Sequence, residues 1–132
     1  MITALDTNIL LDVLADDPRY SETSAALIEQ AAEAGALVIC EIVYAELTPR
    51  FSSQAQLDGV LRKLGIELIS TGKAPLYLAG QNWRKYRASG GPRTRILADF
   101  LIGAHATLQA DRLLTRDRGF YRRYFPELRL IE

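Results

Sequence analysis

The chain has 132 residues, 48% of them hydrophobic, with 16 basic and 16 acidic side chains, five prolines and a single cysteine. That describes one domain over residues 1–132, long enough to build a core without disulfide or metal staples, and it excludes global disorder. No apolar run approaches the roughly 18 residues of a membrane span, the acid at position 6 argues against a signal peptide, and the lone Cys40 agrees with a reducing cytoplasm.

Short apolar runs alternate with stretches of helical period. In chain order the pattern predicts a strand over residues 2–5, helices over 8–15 and 21–34, a strand over 37–39, helices over 42–51 and 54–64, and a strand over 66–69. Helices over 75–88 and 95–110, a strand over 113–115, a helix over 119–124 and a strand over 128–131 complete it. Gly35 and Gly65 each close a helix just before a strand, and Ser-Gly-Gly-Pro at 89–92 separates two helices. Strands alternating with helices imply a three-layer α/β/α domain with a central, mostly parallel sheet. In such sheets the ligand site lies beyond the carboxyl ends of the strands.

Four acids fall at informative places. Asp6 ends the first strand and Asp117 follows the strand at 113–115, so both belong at the carboxyl edge, although Asp before a helix also serves as an N-cap. Glu46 follows Val43 and Ile42 by three and four residues, which puts it on their helix face, pointing inward. Asp99 shares its side with Ile96, Ile102 and Gly103. An acid within an apolar stripe needs a cationic partner or a wet cleft.

If the four converge, two like charges about 4 Å apart repel by roughly 4 kcal/mol at an effective dielectric near 20. Such a cluster needs a cation, and oxygen-only donors select Mg²⁺ or Mn²⁺ over Zn²⁺. Acid sites holding such ions activate water for phosphodiester cleavage. The charge distribution adds to this reading: residues 1–83 hold 5 basic and 11 acidic side chains, whereas residues 84–132 hold 11 basic and 5 acidic. The excess of arginine in the second half favours a phosphate-rich partner.

The segments Leu5-Asp6-Thr7-Asn8-Ile9-Leu10, Tyr44-Ala45-Glu46-Leu47, Ala98-Asp99-Phe100-Leu101-Ile102-Gly103-Ala104-His105-Ala106 and Leu113-Leu114-Thr115-Arg116-Asp117, in this order, resemble the PIN-domain ribonucleases. Among these the chain is most similar to the VapC-type toxins of toxin–antitoxin pairs. The resemblance covers nearly the whole chain. It implies a PIN-like fold and an acidic metal site of Asp6, Glu46, Asp99 and Asp117. Thr7 or Asn8, and Thr115, match polar positions beside that site, where they would orient a carboxylate or serve as caps and turn formers. It further implies Mg²⁺- or Mn²⁺-dependent hydrolysis of RNA, a homodimer, and a small antitoxin partner that blocks the site.

Other readings compete. An RNA-processing nuclease of the same fold would act without an antitoxin. A phosphatase of the haloacid-dehalogenase kind would explain Asp6, but wants an Asp where Asn8 stands. A non-catalytic RNA-binding module would carry the acids for a structural cation.

Around the acids, Glu41 is expected to cap its helix, Asp12 to face solvent and His105 to be buried and hydrogen-bonded. Leu76, Tyr77, Gly80, Trp83, Tyr86 and Arg87 give one helix an aromatic side, for core packing or for an interface. Arg116, Arg118, Arg122 and Arg123 are candidates for RNA phosphates, with Tyr121 and Tyr124 available to stack bases and Phe120 and Phe125 expected inside.

Overall fold

The computed structural model describes residues 1–92 and 97–131. Five short strands, β1 (Ile2–Leu5), β2 (Ala36–Ile39), β3 (Ile66–Leu68), β4 (Arg112–Leu114) and β5 (Leu130–Ile131), form one sheet in the order β3-β2-β1-β4-β5. Every pairing is parallel. Thr3, Ala4, Leu5, Leu37, Val38, Ile39, Leu113 and Leu114 are all buried. Central strands covered on both faces read as continuous rather than alternating apolar runs, as they do here.

Among the described residues seven helices cover the sheet: α1 (Thr7–Leu14), α2 (Ser21–Ala34), α3 (Glu41–Leu47), α4 (Gln54–Leu64), α5 (Lys73–Ala88), α6 (Leu97–Gln109) and α7 (Arg118–Tyr124). The expected bounds of α2 and α4 coincide with those observed. The helix expected to run to Phe51 instead ends as α-helix at Leu47 and tightens into a 3-10 turn over Thr48–Arg50. Pro49, which has no backbone N–H, accounts for that break. Helix α5 begins at Lys73, ahead of the expected start at Pro75, because a proline is tolerated in a first turn. Of the helix expected over 95–110, Arg95 and Ile96 lie outside the described residues. Gly65 caps α4 at φ 72°, a left-handed conformation that glycine adopts without steric cost.

The chain lays down β1, β2 and β3 in one direction, then returns to the other side of β1 to add β4 and β5. The sheet therefore reverses its winding between β1 and β4. In open parallel sheets this reversal opens a crevice at the carboxyl ends of the two strands. Asp6 follows β1, and Thr115 to Asp117 follow β4, so the topology delivers both segments to one place.

An aromatic cluster holds α5, α6 and α7 together. Phe100, fully buried, lies 5.1 Å from Phe120, 5.4 Å from Tyr86 and 5.5 Å from Trp83, ring centroid to centroid. Each such pair contributes about 0.5–1.5 kcal/mol beyond its buried area. A Cβ on Gly103 would stand 2.5 Å from the Phe125 ring, so only glycine lets that ring close on α6. The aromatic side of α5 thus divides: Trp83 and Tyr86 join the core, whereas Leu76 and Tyr77 are 45% and 71% exposed. Among the described residues no helix is long and apolar enough to cross a membrane.

Candidate acidic site

Asp6 leaves β1 with an extended backbone and becomes the N-cap of α1, its Oδ1 accepting the Thr7 N–H at 2.7 Å. The capping role and the edge position are therefore realised together. Its Oδ2 accepts the Thr115 hydroxyl at 2.7 Å, the Tyr121 phenol at 3.2 Å and the Asn8 amide at 3.4 Å. The carboxylate is 7% exposed. Burial pushes its pKa from 3.8 up to about 6; hydrogen bonds from Thr115, Thr7 and Tyr121 work against the rise, and the like charge of Asp99 adds to it.

Thr115 is a junction. Its hydroxyl donates to Asp6 and accepts the Asp117 N–H at 3.0 Å, while the Asn8 amide reaches it at 3.5 Å. Asp117 stands at the N-cap position of α7 but makes no side-chain cap there, so the capping alternative is not realised at this acid. Asp99 lies in the first turn of α6, half-buried, with Ile102 and Gly103 buried on its side as expected. The third neighbour expected there, Ile96, lies outside the described residues.

Glu46 departs from its expected inward orientation. Helix α3 buries Val43 and Leu47, and Glu46 stands beside that stripe, exposed. It still joins the group, because the Thr7 hydroxyl donates to its Oε1 at 2.7 Å. Thr7 thus offers its backbone to Asp6 and its side chain to Glu46.

Tyr121 is the site residue that sequence reasoning missed. Expected as a base-stacking ring, it is 1% exposed and points its phenol at Asp6. Burial, then the charges of Asp6, Asp99 and Asp117, raise its pKa well above 10, so it remains a hydrogen-bond donor. The helical spacing held the signal, since Tyr121 is four residues after Asp117 and shares its face of α7.

Asp12 also contradicts its expected solvated position. It is 3% exposed and held by both nitrogens of the Arg116 fork, at 2.7 and 2.9 Å, and by the Ser24 hydroxyl at 2.7 Å. Glu41 reaches away from its own helix to accept the Thr71 backbone N–H and hydroxyl. Burial opposes its ionisation, but the Thr71 hydrogen bonds prevail and its pKa is lowered. His105 is buried as expected, with Nε2 2.8 Å from the Ile69 carbonyl; burial lowers its pKa. Phe120 and Phe125 are inside as expected, and Arg118, Arg122 and Arg123 are exposed.

The structure therefore sets the Tyr121 phenol against Asp6, within electrostatic reach of Asp99 and Asp117, and ties Glu46 in through Thr7. It does not close them into a cage. Among the described residues, no three His, Cys, Asp or Glu side chains are drawn together tightly enough to hold an ion as they stand. The donors are all oxygens, the set that suits a hard divalent cation. A buried carboxylate facing a like charge is the electrostatic condition that such a cation relieves.

A PIN domain family profile matches residues 3–126. No curated protein matches in sequence. Among solved structures, a chain of VapBC2 from Rickettsia felis, determined bound to a promoter DNA fragment, is 24% identical. The match covers 99% of this chain and 98% of that one, with a TM-score of 0.76. A chain of VapBC-1 from nontypeable Haemophilus influenzae is 23% identical over 100% of this chain and 98% of its own, with a TM-score of 0.75. A chain of a toxin–antitoxin complex from Klebsiella pneumoniae is 20% identical over 98% and 96%, with a TM-score of 0.68. With the profile spanning nearly all of a sheet whose winding reverses beside Asp6, the chain belongs to the PIN domain family.

Proposed function

We propose that this protein is a metal-dependent endoribonuclease, the toxin of a toxin–antitoxin pair, acting in the cytoplasm. The observation that carries the reading is Asp6: a carboxylate buried at the sheet reversal, beside Asp99 and without an arginine or lysine hydrogen-bonded to it among the described residues. Asp6, Glu46, Asp99 and Asp117 would hold Mg²⁺ or Mn²⁺. Such an ion supplies Lewis acidity, making water a better nucleophile at neutral pH and neutralising charge on the phosphodiester.

The chain's own groups prepare that site. Oδ2 of Asp6 is occupied by hydroxyl and amide donors, whereas Oδ1 has the Thr7 N–H alone among the hydrogen bonds described, so Asp6 offers Oδ1 to the cleft. Thr7 orients Glu46, and Thr115 and Tyr121 hold Asp6 in the roles that outer partners play around ligand carboxylates. Exposed Arg118, Arg122 and Arg123 on α7 would track RNA phosphates from Asp117 outward.

The toxin assignment rests on the structural neighbours, which were determined as VapBC or toxin–antitoxin complexes. An antitoxin that covers the acids would keep the nuclease silent. The exposed Leu76 and Tyr77 of α5 supply an apolar face for a homodimer.

The test is a time course of the antitoxin-free protein on pooled labelled RNAs with Mg²⁺, Mn²⁺ or EDTA, beside Asp99→Asn. Cleavage at discrete sites that needs both the ion and Asp99 is the expected result. RNA binding that survives EDTA, with no cleavage under any condition, would instead make the chain a binding module.

A further inference from the structure

The loop between β4 and α7 carries Asp117, and the residue before it, Arg116, commits its charge to a partner although its side chain is partly exposed. Its guanidinium folds back onto α1 and grips Asp12 with Nε and Nη2 at 2.7 and 2.9 Å. The same guanidinium lies 4.0 Å from the centre of the Tyr20 ring, and Ser24 on α2 donates to the same Asp12 Oδ2 that accepts Nε. A planar fork on a buried carboxylate, stacked on an aromatic face, is a geometrically fixed contact, unlike the exposed ion pairs that contribute little.

This contact is the outermost of three links between α1 and the loop. Asp6 accepts from Thr115, Asn8 Oδ1 accepts the Arg116 backbone N–H at 3.3 Å, and Asp12 accepts the Arg116 fork. Residues 6, 8 and 12 thus hold residues 115 and 116, and Asp117 follows directly. There is also a consequence for charge. Arg116 and Arg118 flank Asp117 in sequence, and Asp12 holds the Arg116 guanidinium on α1.

We propose that the Asp12–Arg116 pair is a positioning clasp, which fixes Asp117 relative to Asp6 and keeps the guanidinium out of the acidic cleft, so that Arg116 serves the metal site and not the RNA backbone. The assignment rests on the nuclease reading for its consequence in catalysis, but not for its effect on cation binding. Displacements near 1 Å in a catalytic constellation cost about a hundredfold in rate, so a loop held at three points has functional weight.

The test compares the wild type with Asp12→Asn and Arg116→Lys, well below their melting temperatures. Mn²⁺ binding is read from the loss of the free-ion paramagnetic resonance signal, and RNA cleavage is resolved into kcat and KM. The clasp predicts that both variants weaken Mn²⁺ binding by about 10–100-fold, the range for outer partners of a metal site, and lower kcat with KM within about twofold. Arg116→Lys keeps the charge and loses the fork, so it should fail like Asp12→Asn; its half-exposed position keeps the test open if Asp12→Asn does not fold. Unchanged Mn²⁺ affinity with a lower melting temperature would reduce the pair to a structural staple and overturn the proposal. A raised KM with activity retained in Arg116→Lys would return Arg116 to the RNA backbone, overturning it equally. A wild type that binds Mn²⁺ but cleaves no RNA breaks the nuclease reading, and the clasp is then decided by the Mn²⁺ titrations alone. A wild type that binds no Mn²⁺ overturns both.

Discussion

Asp6 and Asp12 lie six residues apart at the two ends of the same helix, both buried, and the protein treats them in opposite ways. Asp12 receives a cation from the chain itself, the two-pronged Arg116, together with the Ser24 hydroxyl. Asp6 receives neutral donors from Thr7, Asn8, Thr115 and Tyr121, and the neighbouring charge that acts on it is Asp99's, of its own sign. One carboxylate is balanced and holds helices together. The other is held by neutral donors, with no cation hydrogen-bonded to it among the described residues, and its burial in that state opposes its charge, the usual mark of a working site.

The largest effect that would break this contrast is on activity. Asp6→Asn should abolish metal-dependent cleavage, by well over the 10–100-fold of an outer-partner change, and yet leave the metal-free protein more stable at pH 7.5. Moving a pKa from 3.8 to about 6 corresponds to about 3 kcal/mol of opposition to the charged form, which the amide removes. Urea unfolding in EDTA and a cleavage assay on the same preparation check both halves. Asp12→Ala should do the reverse to stability, lowering it by about 1–3 kcal/mol through lost charge-assisted hydrogen bonds.

The pH dependence sharpens the same comparison. Because Asp6 keeps its proton to higher pH when folded, the folded state binds more protons between pH 3.8 and about 6, and stability falls as pH rises through that window. The loss should approach about 3 kcal/mol in EDTA and shrink when Mn²⁺ is present. His105 and Glu41, whose pKa values are lowered, contribute with the opposite sign, losing stability as pH falls. Subtracting the Asp6→Asn profile from the wild-type profile isolates the Asp6 contribution.

Smaller effects follow outward from the site. Tyr121→Phe removes one neutral donor to Asp6 and should cost about 10–100-fold in cleavage while the ring still fills its buried place. Arg118→Ala should leave the metal requirement intact and reduce the salt dependence of RNA binding by about one unit of slope.

The parallel character of the sheet, the succession of strands and helices and the strand-end position of Asp6 are legible in the sequence, because local periodicity determines them; the strand order is not. Tyr121 and Asp12 were misread because their partners lie far along the chain. Asp12 is paired with a residue 104 positions away, and nothing within α1 distinguishes it from a solvated acid. Tyr121 sits in a run of arginines and aromatics whose local pattern suits RNA stacking as well as burial. Glu46 was placed on the correct helix, but a stripe set by Val43 and Leu47 leaves it at the edge, where Thr7 reaches it.

The central claim is that Asp6, buried among neutral donors, serves a divalent cation. It is tested most directly by thermal unfolding of the wild type and Asp6→Asn at pH 7.5 across a Mn²⁺ titration. The account predicts that Mn²⁺ raises the wild-type midpoint, by about 2.7 kcal/mol of stability at one hundred times the dissociation constant, and leaves Asp6→Asn nearly unmoved. Equal shifts in the two proteins, or no shift in either, would contradict it.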